Sequence, residues 1–287
     1  MLGVSLANVF LLRLDQTGGL APGNKFFKLG AYLSRARQQG ITRLVSFGGD
    51  WSNHLHALAA VGHQQGLETV GFVRGESTAN ESAMLADARR WGMQIIRVSR
   101  EEYRLRNDAD YQQKVIRRFS PCVLIPEGGA TATGAGGCGA IADMIRKHAP
   151  GARRIVVPVG TGTTLAGLVA KLDDSYDLLG ISALKGAADL EDRVRGLLRD
   201  MEARNCAQWH ISHDHHCGGF ARVNSPLREF ILAFEATQGV ELEPVYTGKM
   251  LFAIHQLCER GEWDTDTPTL AIHTGGLQGR RGYPWLV

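Results

Sequence analysis

Short apolar runs rich in β-branched residues recur along this chain, and between them apolar positions return at a helical period. Val9 to Leu14, Arg43 to Phe47, Thr69 to Val73, Gln94 to Val98, Cys122 to Ile125, Ile155 to Val159, Leu178 to Ser182 and Thr269 to His273 each read as a strand. Helices are expected over Lys25 to Gln39, Asn53 to Gln65, Glu81 to Trp91, Tyr111 to Phe119, Gly139 to His148, Thr163 to Lys171, Leu190 to Cys206, Leu227 to Thr237 and Lys249 to Arg260. Polar caps mark several starts, with Asn80 ahead of the third helix and Ser52 or Asn53 ahead of the second. Met1 to Leu12 is mostly apolar, has no basic leader and runs straight into Arg13 and Asp15, so it reads as a strand and not as a signal segment. Alternation of this kind predicts an α/β fold with mostly parallel sheets flanked by helices.

Glycine punctuates the middle of the chain twice, at Glu127 to Gly137 and at Gly160 to Thr164. The first passage reads as the return from one domain to another. No internal repeat or low-complexity linker separates the halves, so closely associated domains are expected.

Composition narrows the class without naming the chemistry. Of 287 residues, 44% are hydrophobic and 21% charged, which suits a soluble globular protein. The net charge of +3 comes from 32 basic and 29 acidic residues with the signs interspersed, so no nucleic-acid-binding face is indicated. No stretch approaches the roughly 18 to 20 apolar residues that cross a bilayer. Cysteines at 122, 138, 206, 217 and 258 form no CxxC pair, which points to reduced thiols and a cytoplasmic protein.

Candidate chemistry gathers at the ends of the expected strands, where parallel α/β sites form. Lys25 and Lys28 are three apart at a helix entrance and share a face. Ser52-Asn53-His54 opens the next helix. Gly160-Thr161-Gly162-Thr163-Thr164 follows the strongest strand and opens another; its amides and hydroxyls suit a phosphate, although a tight turn with no ligand would also have this sequence. It lacks the Lys-Ser/Thr of a P-loop. His210, His213, His215, His216 and Cys217 are dense enough to suggest zinc, yet their spacing fits no finger, and Asp214 with the following glycines reads as a polar loop without metal.

Lys25 within GNKFFKL, Ser52 within GGDWSNH, the GTGTTLAG turn, Glu243-Pro244-Val245-Tyr246-Thr247-Gly248-Lys249 and His273-Thr274-Gly275-Gly276 follow one another from about Leu12 to Gly279. In this the chain resembles the 1-aminocyclopropane-1-carboxylate deaminase and D-cysteine desulfhydrase family, pyridoxal 5′-phosphate enzymes of the tryptophan-synthase-β type, fold type II. The resemblance implies a small α/β domain over 36–130, inserted into a larger cofactor-binding domain built from 1–35 and 131–287. It implies that Lys25 forms the Schiff base with pyridoxal phosphate and that Lys28 sits near the phosphate. Asn53 would touch the cofactor, Gly160, Thr161, Gly162, Thr163 and Thr164 would wrap its phosphate, and Thr247 or Thr274 would approach the pyridine nitrogen. Ser52, Asn53, His54 and Tyr246 would face a small amino-acid substrate, with Lys25, Ser52 and Tyr246 catalytic. A homodimer is also implied.

Departures from the family pattern shape the expected reaction. Thr247 stands where the deaminase carries a glutamate, and Phe220 falls where a second active-site tyrosine is expected. Both favour β-elimination from a D-cysteine-like amino acid, giving a 2-oxo acid, ammonia and sulfide, over opening of a cyclopropane ring to 2-oxobutanoate. Asp50 is expected to repel a substrate carboxylate. About ten residues precede the first strand, so a covering N-terminal segment is expected to be absent. With those departures, a cofactor-binding protein with lost or altered turnover is the third reading.

Overall fold

Buried polar backbone inside a covered sheet must be paired, and strands that are apolar along their whole length, not alternately, meet that demand in parallel sheets with helices on both faces. The computed structural model of the chain describes residues 6, 8–76, 81–204 and 206–286. It contains nine strands among those residues: β1 Val9–Arg13, β2 Arg43–Gly48, β3 Glu68–Arg74, β4 Gln94–Val98, β5 Val123–Ile125, β6 Arg154–Val159, β7 Asp177–Ser182, β8 Gln208–Ser212 and β9 Thr269–His273. The α-helices are α1 Asn24–Gln38, α2 Asn53–Gln65, α3 Ala83–Arg90, α4 Arg100–Arg104, α5 Ala109–Phe119, α6 Ala132–Gly137, α7 Gly139–His148, α8 Thr163–Val169, α9 Leu190–Asp200, α10 Ser225–Gln238 and α11 Thr247–Glu259.

The chain divides into two compact units. One comprises the described residues of Met1–Gln16 with Cys138–Leu277, and its sheet has the order β1-β9-β6-β7-β8. Every pairing in it is parallel. The other comprises Thr17–Gly137 with Gln278–Val287 and holds a parallel sheet ordered β4-β3-β2-β5. Successive residues of β2 serve opposite faces of that second sheet. Leu44 joins a core with Leu29, Tyr32 and Leu33 of α1, Leu55 and Leu58 of α2 and Leu85 of α3. Val45 and Phe47 join Phe72, Tyr103, Val115 and Phe119 on the other side.

The α/β architecture is as expected, and the differences have local causes. β8 was read as part of a polar loop; it is a half-buried edge strand, and an edge need not be apolar throughout. The helix expected over Leu190 to Cys206 stops at Asp200, and Glu202 just beyond adopts φ 50°. The glycine run ahead of Cys138 contains α6, unforeseen because glycine disfavours helix. Its glycines serve close packing: a Cβ on Gly134 would strike the Gly129 carbonyl, and one on Gly137 would strike the Phe27 carbonyl of α1. Ser82 caps α3 through the Leu85 amide, while Asn80 lies outside the described residues, as does most of the stretch before β1. All five cysteines are free thiols, and among the described residues no helix is long and apolar enough to cross a membrane.

Candidate active site

In the second unit the lysines lie on the first turns of α1. Lys25 is half-buried, with Nζ donating to Asn24 Oδ1 at 3.3 Å. Lys28 is only 3% exposed and its Nζ donates to the Gly128 carbonyl at 3.4 Å. Neither is the solvated surface lysine that an isolated lysine usually is. His54 is buried too. Its Nε2–H donates to Ser46 Oγ at 2.9 Å, Ser46 donates to the Ile125 carbonyl at 2.7 Å, and His54 Nδ1 is buried without a hydrogen-bond partner among the described residues. Burial, reinforced by the positive charges of Lys25 and Lys28, lowers the imidazole pKa to about 3. The ring is therefore neutral.

The turn between β2 and α2 carries the other expected groups. Ser52, not Asn53, is the N-cap, its Oγ accepting from the Leu55 amide at 3.2 Å. A Cβ on Gly48 would lie 2.6 Å from that Oγ, so only glycine leaves room for the serine. Asn53 Oδ1 accepts from Gln278 Nε2 at 2.8 Å, which leaves its amide NH2 as the end able to donate elsewhere. Asp50 does not present the unopposed charge expected of it. Arg97 Nη1 pairs with its carboxylate at 2.5 Å, and Ser82 Oγ donates to its carbonyl at 2.5 Å.

The first unit holds the glycine-threonine turn at the end of β6. Gly162 takes φ 80° and begins α8 with no side-chain cap, as α1, α7, α9 and α11 also begin. Thr163 and Thr164 are buried, and Thr161 Oγ1 lies 2.8 Å from Thr163 Oγ1. A Cβ on Gly160 would sit 2.9 Å from the Tyr246 ring and 3.1 Å from its hydroxyl. Tyr246 therefore lies against this turn. Thr247 and Thr274, from the start of α11 and the end of β9, bring their hydroxyls to 3.5 Å in buried surroundings.

Three buried residues hold this arrangement, and none was assigned a role from sequence. Glu243 is 1% exposed and accepts from the amides of Val245 (2.8 Å), Tyr246 (2.9 and 3.1 Å) and Thr247 (2.5 Å), closing the entrance of α11. Burial pushes its carboxyl up to about 7 against those N–H bonds and the Lys249 charge. Lys249, wholly buried, donates to the Gly219 carbonyl at 2.6 Å, and burial lowers its pKa. The loop it grips has positive φ at Cys217, Gly218, Gly219 and Ala221, and it sets the Phe220 ring edge-on to Tyr246 at 6.2 Å. His273, also wholly buried, donates to the Glu241 carbonyl (2.9 Å) and accepts from the Gly275 amide (3.2 Å), shaping the turn after Thr274. A glutamate four residues ahead of a helix start was the one legible signal among these.

The histidine-rich segment disperses its side chains. His210 lies on β8, His213 bonds Glu191 at 2.8 Å, His215 bonds Gln256 at 3.3 Å, and His216 Nδ1 accepts from the Gly218 amide at 3.0 Å. Among the described residues no three His, Cys, Asp or Glu converge on a metal position.

Residues 3–275 match the family model described as pyridoxal-phosphate dependent enzyme. A protein of Thermotoga maritima, provisionally named a 1-aminocyclopropane-1-carboxylate deaminase, is 30% identical over 95% of this chain and 89% of its own length. A D-cysteine desulfhydrase of Salmonella choleraesuis is 28% identical over 96% of the chain and 88% of its own. Among solved structures, a homologue of ACC deaminase covers 96% of the chain and 87% of itself with a TM-score of 0.84 at 24% identity, which shows the shared fold.

Proposed function

The chain belongs to the pyridoxal-phosphate dependent enzymes, and from that premise we propose that it is a lyase that deaminates a small D-amino acid by α,β-elimination, with D-cysteine the first substrate to test. Residues of the chain suit the cofactor. The uncapped α8 entrance, a glycine at φ 80° and two buried threonines suit its phosphate, and the Thr247–Thr274 hydroxyl pair suits a ring nitrogen. Lys25 is the amine that would hold the aldehyde, with Lys28 one turn further along α1.

Bound pyridoxal phosphate supplies the electron sink for the pair left when a bond to the substrate Cα breaks. The remaining work falls to side chains. With the cofactor bound, Lys25 would be the group that takes the Cα proton, as a neutral amine. His54, uncharged, adds no competing positive charge beside it. Ser52 Oγ accepts from the Leu55 amide, so its own proton can be donated to the substrate carboxylate or the departing group. Tyr246 and Phe220 give the substrate side an aromatic wall with a single hydroxyl.

The observation that carries this reading is the neutral pair Thr247 and Thr274. The carboxylate of the same motif, Glu243, is committed to three backbone amides and stands apart from the chemistry. A neutral partner leaves the ring nitrogen less protonated, which suits loss of a good leaving group better than opening of a carbon ring. Sulfide and pyruvate in equal amounts from D-cysteine are the expected products. The name of the Thermotoga relative favours a second reading, ring-opening deamination, for which 2-oxobutanoate from the cyclopropane amino acid is the signature. Borohydride should fix the cofactor to Lys25; a protein with no such adduct and no absorbance near roughly 410 to 430 nm would refute both. An inert, yellow protein would instead support the binding-only reading. A cytoplasmic homodimer completes the proposal, and light scattering tests its mass.

A further inference from the structure

We propose that Arg74 binds a second anionic group of the substrate, a carboxylate or similar oxyanion carried on the side chain of the amino acid. The inference rests on the function proposed above and extends its substrate class, beside D-cysteine, to amino acids whose Cβ leaving group carries such an oxyanion. Among the guanidiniums near the carboxyl ends of β3, β4 and β5, those of Arg97 and Arg106 have carboxylates. Arg97 pairs with Asp50 at 2.5 Å and Arg106 with Glu127 at 2.6 Å. Arg74, the last residue of β3, is exposed and has no ion pair among the described residues.

Arg74 is nonetheless held in place. Its guanidinium lies 5.7 Å from the centre of the Tyr103 ring, and that ring is 3% exposed and anchored by its hydroxyl to Glu127 Oε1 at 2.7 Å. Glu127 cannot also serve Arg74 readily, because its other oxygen takes the Arg106 bond. From this perch the guanidinium reaches the turn that bears Ser52. A Cβ added to Gly49 would lie 3.8 Å from Arg74 Nη2, and because the glycine carries none that space is open to a ligand.

Register sets the scale. Gly48 of β2 lies opposite Val73 of β3, so Arg74 stands one strand over from the Gly49–Ser52 turn, a spacing of ~4.8 Å. If the α-carboxylate lies at the Ser52–Asn53 entrance of α2, a substituent on Cβ comes within reach of a planar donor that matches an oxyanion bidentately. Asp50 does not oppose it, since Arg97 neutralises that charge on the same turn.

Aspartate and asparagine differ at the side chain in charge and hardly in shape, so they isolate the effect. The cofactor-loaded protein is titrated with each, in both enantiomers, and binding is followed by absorbance and by calorimetry. Aspartate of the accepted hand should bind about tenfold tighter than asparagine. Arg74→Gln should bring that ratio to about one while leaving asparagine binding and the cofactor absorbance unchanged, and Arg74→Lys should keep part of it. Equal binding of the two ligands by the unaltered protein, or a ratio that survives in Arg74→Gln, overturns the inference while leaving the lyase reading intact. Absence of the cofactor band from the unaltered protein would strike at the lyase reading itself.

Discussion

The neutral, buried His54 makes a signed prediction about acid stability. Its imidazole titrates near 6.5 in the unfolded chain and at about 3 in the folded one, because burial and two neighbouring ammonium groups oppose the charged form. A depressed pKa contributes stability that is fully present above 6.5 and is lost as the pH falls toward the folded value, since the unfolded state binds the extra proton. Each pH unit across that window costs about 1.4 kcal/mol, so about 2 kcal/mol is gone by pH 5.

His54→Gln is the test, because the glutamine amide can still donate to Ser46 Oγ where His54 Nε2 does now. The substitution carries a fixed packing cost, but it removes the titration. His56 and His273, whose pKa values burial also lowers, remain in both proteins and cancel in the difference. Urea unfolding at pH 7.5 and pH 5 should therefore show the unaltered protein losing about 2 kcal/mol more than the variant between the two conditions. Parallel losses would mean that His54 is charged, or solvated, in the folded state and would refute the geometry given for it.

Gly48→Ala should leave the sheet intact but displace the Ser52 hydroxyl, 2.6 Å from the new Cβ, and lower turnover by an order of magnitude or more, read as kcat against an unchanged cofactor absorbance. Lys249→Met should free the Cys217–Ala221 loop, seen as faster tryptic cleavage at Arg222 and a raised KM, with Lys249→Arg restoring part of the protection. Glu243→Gln should cost about 2 to 3 kcal/mol in urea unfolding, because a glutamine places an NH2 against amides that now meet a carboxylate.

Strand and helix positions were legible wherever one residue type decided them. The β-branched run Ile155-Val156-Val157, bounded by the glycine turn at Gly160, reads as a buried strand and is one, and Gly66 in the left-handed conformation ends α2 as its type suggests. What could not be read was structure that depends on a distant partner. α6 is a helix because Gly134 and Gly137 let it touch other backbone, and no local preference announces that. Asp50 illustrates the same limit in the site, for its carboxylate looked like an obstacle until Arg97, 47 positions along the chain, was found beside it. Lys25, Ser52 and Tyr246 are proposed from their motifs, whereas the motifs gave no role to the buried groups packed around them.

Those holding groups share a physical logic. Glu243 at the α11 entrance, Lys249 under the Phe220 loop, His273 in the turn after Thr274 and Ser46 beneath His54 are each fully or almost fully buried, and each gives its polar atoms to backbone amides or carbonyls or to a neighbouring buried side chain. A buried polar group without such bonds costs about 1 to 3 kcal/mol, so once its partner is present it resists displacement by a similar amount. Loops at strand ends have few apolar contacts to fix them, and these bonds supply the rigidity that apolar packing cannot. Phe220 shows why this matters for chemistry. Its ring is 55% exposed and could swing freely, yet Gly219, the residue before it, is tied to Lys249 on the same helix turn that carries Tyr246. In the proposed site, the face offered to a substrate would thus be set by an ammonium that does not meet it.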